Sequence, residues 1–119
     1  MDGALLARYG IDYDKGLDNS LGDPEFFKTL LSMFLQDDCF QRAQTAYAAK
    51  KYKELFNCMH ELKGVCGNAA LTGLYGAVVP LLESLRSGVC SDAEIGRLFT
   101  AIETAYRRTC EGIAFAIAQ

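Results

Sequence analysis

Apolar residues recur every three or four positions along most of the chain, while alternating strand patterns are scarce, and this predicts an all-α protein. Asp23 before Pro24 reads as a helix start, a carboxylate N-cap followed by proline at the first helical position. Phe27, Leu30, Leu31, Phe34 and Leu35 then form one broad apolar face. Asp37-Asp38 marks a bend, after which Phe40, Ala43, Ala46 and Tyr47 carry the period on to about Lys50. The next helix spans roughly 52–66, with Tyr52, Leu55, Phe56, Met59, Leu62 and Cys66 as its stripe. Another covers about 71–86, apolar at Leu74, Val78, Leu81, Leu82 and Leu85. Pro80 removes a backbone donor within it and predicts a kink, and Ser87-Gly88 ends it. Ser91-Asp92-Ala93-Glu94 resembles a capping box, opening a last helix that carries Ile95, Leu98, Phe99, Ile102, Ala105, Tyr106, Cys110, Ile113 and Ile117. The long helices predict an antiparallel, up-and-down four-helix bundle. Residues 1–13 read as an extended lead-in packed on that bundle, and Asp14 to Asn19 as a short turn of helix.

Composition narrows the function classes. The chain has 119 residues without a repeat, low-complexity tract or long linker, so residues 1–119 read as one domain with a core of about 14–118. Half the residues are hydrophobic and 23% are charged, a globular balance. A net charge of −3 argues against a nucleic-acid surface, which concentrates Lys and Arg. No apolar run approaches the roughly 20 residues needed to span a bilayer. The start Met1-Asp2-Gly3-Ala4 lacks the pattern of a signal peptide, so a cytoplasmic location without membrane attachment is expected. Cys39, Cys58, Cys66, Cys90 and Cys110 are odd in number and form no C-x-x-C pair. With a single histidine to join them they predict reduced structural thiols, with no structural metal and no disulfide framework. Cys66, on the apolar stripe, reads as a small buried hydrophobe.

The chemistry concentrates at His60, the only histidine. Imidazole titrates near neutrality, so much of it is unprotonated and nucleophilic at cellular pH. On a helix, Lys63 and Gly64 fall one turn further along the same surface. At about 100° per residue, His60 lies off the centre of the apolar stripe, beside Lys53, Gly64 and Gly67, and is expected to be exposed. Lys63 falls nearer the core, where its methylenes can lie on apolar surface and its ammonium can reach solvent. Nucleophile, counter-charge and clearance point to a phosphate carrier.

The run His60-x-Leu62-Lys63-Gly64-x-x-Gly67-Asn68 resembles the histidine phosphotransfer (HPt) domains of multistep two-component phosphorelays. Ala69-Ala70-Leu71 stands where that family has a small-residue turn, and Leu74 where it commonly has leucine. Residues 22–35 resemble the family's helix before the histidine helix, and Leu81-Leu82-Glu83 with Ser87-Gly88 the end of the helix after it. The resemblance covers the chain from about Asp14 to near its C-terminus. It implies that His60 accepts a phosphoryl group from the aspartyl phosphate of a response-regulator receiver domain and passes it to another receiver. It further implies Lys63 as the phosphate counter-charge and Gly64 and Gly67 as clearance for the receiver, while Asn68 would stabilise the turn after the histidine helix. No intrinsic cofactor is then required, because the receiver brings Mg²⁺ and acidic groups. The partners would be receivers and a hybrid sensor histidine kinase.

No ATP-binding motif or phosphate-binding glycine loop occurs, which fits a carrier and not an autonomous kinase. One position departs from the family. Many relatives place Gln or Glu about 22 residues after the histidine, where it can bond the ring, whereas Leu82 stands there with Glu83 next. The competing function is a non-phosphorylated helical module that docks receivers or other signalling proteins.

Overall fold

Asp2, Asp12, Asp23 and Ser91 each place a side-chain oxygen at the start of a helix, and these caps organise an all-helical chain in a computed structural model that describes residues 1–119. The helices are α1 (Gly3–Ala7), α2 (Tyr13–Asn19), α3 (Pro24–Gln36), α4 (Cys39–Ala48), α5 (Tyr52–Asn68), α6 (Thr72–Ser87) and α7 (Asp92–Ala118). None is long and apolar enough to cross a membrane.

Asp23 accepts from the Glu25 amide at 3.0 Å, as its position before Pro24 predicts. Ser91 accepts from the Glu94 amide at 3.1 Å, one half of the predicted capping box. The Glu94 carboxylate turns instead to the Arg97 guanidinium, with a 3.0 Å bond to Nε. At Asp37 the chain breaks outright instead of bending: its backbone is extended, and its Oδ1 accepts from the Cys39 amide at 2.7 Å to open α4. Pro80 sits on an exposed side of α6, which runs from Thr72 to Ser87 around it; Gly88 then closes the helix at φ +72°.

The lead-in is more structured than the extended segment the sequence suggests. Asp2 caps α1 by accepting from the Leu5 amide at 3.1 Å, and α1 buries Leu6 while Ile11 follows into the core. Asp12 caps α2 through the Lys15 amide. The segment is stitched to the α5–α6 turn, where the Gly10 carbonyl accepts from the Gly73 amide and the Thr72 hydroxyl, and Ala70 accepts from the Asp12 amide. Gly10 is required there, because it sits at φ +75° and a Cβ would lie 2.9 Å from the Gly73 Cα.

One continuous core joins the elements. Consecutive helices pack as neighbours, α4 on α5, α5 on α6 and α6 on α7, while α3 and α1 also reach α7. Aromatic rings bond α4 to α7: Phe40 stacks on Tyr106 at 3.9 Å between centroids and Tyr47 on Phe99 at 4.4 Å. At 27 residues, α7 is about 40 Å long and runs nearly the length of a molecule measuring 42 × 20 × 20 Å. Helices α6, α3 and α1 pack along it.

Candidate functional site

The central helix α5 carries the candidate residues. Its buried stripe is Leu55, Met59, Leu62 and Cys66, with Cys58 also covered against α4, while Tyr52 and Phe56 lie at the edge of the core. That stripe fixes the rotation of the helix, and with it the exposure of every other side chain. His60 is exposed, Lys63 half-buried, Gly64 exposed, Gly67 half-buried and Asn68 exposed. The wheel therefore located the imidazole and the lysine correctly.

A Cβ on Gly64 would meet nothing within 4 Å, so the surface one turn past His60 is open. Gly67 is different, since a Cβ there would make ordinary contact with the Tyr75 ring of α6 at 3.8 Å. Tyr75 also lies beneath Lys63, whose Nζ is 5.9 Å from the ring centroid, a cation–π distance. On the other flank Phe56 lies one turn before His60, with ring centroids 6.4 Å apart. Arg86 of α6 rests its guanidinium carbon 5.7 Å from the centre of that same Phe56 ring. The imidazole thus lies along a ridge with a cation held on an aromatic ring at either side.

The α5 helix ends two residues later than the Cys66 boundary read from the sequence, and Gly67 and Asn68 are still helical. Ala70 takes the left-handed turn at φ +58°, with the Leu71 amide donating to the Cys66 carbonyl at 2.9 Å. The carbonyls of Gly67 and Asn68 are satisfied by the side-chain amide of Asn19 in α2, at 3.2 Å each. The stabilising role expected of Asn68 is filled at its backbone by Asn19. On α6, Leu82 is buried in the core and Glu83 is exposed. Leu82 therefore offers the imidazole no hydrogen bond.

The five thiols are unpaired, with Cys39, Cys58 and Cys66 buried. Burial pushes the Cys66 and Cys39 thiols up to about 12, the nearby Glu61 carboxylate adding to the shift at Cys39, so both remain protonated. Asp37, Cys39 and Glu61 bring one potential ligand atom each within 4.8 Å of one another, a convergence the sequence spacing did not suggest. Those atoms have partners within the chain: Asp37 accepts from the Cys39 amide, the Cys39 thiol donates to the Cys58 carbonyl at 3.1 Å, and Glu61 accepts from Arg42 at 2.8 Å.

His60 lines none of the five main cavities; the largest, about 500 Å³, is a groove between α4 and α5 lined by Asp38, Arg42, Glu54 and Asn57 among others. Phe56, Tyr75 and Arg86 were the neighbours that sequence reasoning did not assign to the site. The one available signal was Phe56 at the helical i−4 position from His60; the α6 residues depend on how two helices face each other. Comparison with protein-family models, curated proteins and solved structures gave no match.

Proposed function

We propose that this chain is a histidine phosphotransfer domain, a carrier that takes a phosphoryl group on His60 from one receiver and gives it to another. The observation that carries the reading is a unique, exposed imidazole in the His60-x-Leu62-Lys63-Gly64 run, with open space over Gly64 and a lysine one turn away. Helices α4 to α7, joined by the short connections 49–51, 69–71 and 88–91, are read as the antiparallel four-helix bundle of that class, with α3 continuing the first helix beyond the Asp37 break.

In the forward step one imidazole nitrogen attacks the phosphorus of a receiver's aspartyl phosphate. The P–N bond forms as the P–O bond to aspartate breaks, and the carboxylate leaves with the electron pair. The return step reverses this with a second aspartate as nucleophile. Catalysis of phosphoryl transfer is mostly positioning and charge stabilisation. A receiver that brings Mg²⁺ and acidic groups needs from its partner an oriented nucleophile, a nearby cation and room to dock. His60, Lys63 and Gly64 meet those needs in that order, with Gly67 extending the clearance.

The test is intact-protein mass spectrometry after incubation with Mg²⁺ and a receiver pre-charged by acetyl phosphate. A single phosphoryl adduct, lost in acid and absent from folded His60→Gln, is the expected result. No adduct across a broad receiver panel, with the receivers themselves charged, would overturn the carrier and leave a docking module that binds without transfer.

A further inference from the structure

A nucleophilic imidazole on an open ridge has a positional problem. With one side open to solvent and no carboxamide at the Leu82 register, any restraint on the ring's rotamer has to come from its neighbours on the helix, and only some rotamers aim a nitrogen outward. Helical side chains lean toward the N-terminus, so His60 leans over the residue four positions earlier. That residue is Phe56, whose ring is 6.4 Å from the imidazole between centroids and inclined by 36° to it. The separation falls within the range of about 4.5–7 Å over which aromatic rings interact, and the tilt lies between the offset-stacked and edge-to-face arrangements. Phe56 is itself restrained, half-buried at the core edge and held by the Arg86 guanidinium from α6 at 5.7 Å.

We propose that Phe56, pinned by Arg86, is a positioning residue that holds the His60 imidazole in the rotamer that presents a nitrogen to the phosphoryl donor. The proposal rests on the carrier reading above. It supplies from α5 itself the restraint that a polar residue on α6 would otherwise give. Phe56 takes no part in bond making; it raises the fraction of time the nucleophile is aligned. A ring released to the two χ1 wells open to a side chain within a helix would be aligned about half as often, so transfer should slow by about twofold.

Phe56→Leu keeps an apolar side chain at the core edge but removes the ring, whereas Phe56→Tyr keeps the ring. Both would be compared with wild type and Arg86→Ala in single-turnover transfer from a charged receiver, at varied receiver concentration, with folding checked by circular dichroism. In parallel, NMR of the uncharged protein would read ring-current displacement of the His60 Hδ2 and Hε1 signals without any receiver. The expected result is a maximal transfer rate about twofold lower in Phe56→Leu, an unchanged half-saturating receiver concentration, and rescue in Phe56→Tyr. Arg86→Ala should fall between, and the imidazole displacement should vanish in Phe56→Leu. A wild-type rate in Phe56→Leu, or an effect confined to half-saturation, would overturn positioning and make Phe56 a packing or docking residue. If wild type takes no phosphate, the carrier reading and the transfer role fall together, whereas a retained ring-current displacement would show that the ring contact survives that failure.

Discussion

Gly64 separates two explanations of a helix glycine because its surroundings are empty. A Cβ there meets nothing within 4 Å, so Gly64→Ala removes the conformational cost of glycine without a clash. It should stabilise the fold by about 0.5–1 kcal/mol. If the space is kept for a docking receiver, Gly64→Gln should slow phosphotransfer while melting no lower than wild type. Thermal melts beside single-turnover transfer assays check both; a Gly64→Gln that transfers at the wild-type rate would reduce the glycine to a helix irregularity. Lys63→Ala should slow transfer about fivefold, the effect of losing ~1 kcal/mol from one charge pair at about 4 Å in water. The exposure of His60, Lys63 and Gly64 was legible in the sequence because each position relative to the core follows from the wheel of a single helix. Tyr75 under Lys63 and Arg86 over Phe56 were not, since they depend on the facing rotation of α5 and α6.

At the scale of elements, capping chemistry was the most readable feature. Asp23 before Pro24, Ser91 before Asp92 and Gly88 after Ser87 act locally, and each stands at the boundary the sequence indicates. The lead-in was less readable: α1 has five residues, too few to display a helical period, and its packing depends on the distant α7. Gly112 of α7 is where that docking is tightest. A Cβ there would lie 2.8 Å from the Tyr9 Cγ and 3.0 Å from the Ile11 Cδ1, both in the lead-in. Gly112→Ala should therefore destabilise by about 1–3 kcal/mol through overpacking, despite alanine's better helix propensity. Denaturant unfolding, combined with amide exchange over residues 3–12, checks this. Exchange should rise there first, and uniform stabilisation would show that the lead-in is not seated against α7.

For the whole molecule, the predicted helix sequence was legible because its neighbours in sequence are also neighbours in space from α4 to α7. The closures between distant segments had no local signal, and one of them carries a test in its pH dependence. Asp92, at the start of α7, accepts from the Tyr52 hydroxyl at 2.8 Å and from the Lys50 ammonium at 3.1 Å, tying the last helix to the α4–α5 connection. The Tyr52 hydrogen bond, with Lys50 adding its bond and charge, lowers the Asp92 carboxyl below its ordinary value of 3.8. The folded state thus binds this proton more weakly than the unfolded chain does. The stabilisation is fully present above pH 3.8 and is lost as pH falls through the lowered folded-state value. Asp92→Asn should melt below wild type at neutral pH, by a small margin because the pair is exposed. The gap should close on acidification below pH 3.8, where wild type loses the same charge. Paired thermal melts from pH 7 to 2.5 measure this. A gap constant over that range would assign the Asp92 effect to capping geometry at α7, and a gap that narrows would assign it to the charge that joins α7 to the α4–α5 connection.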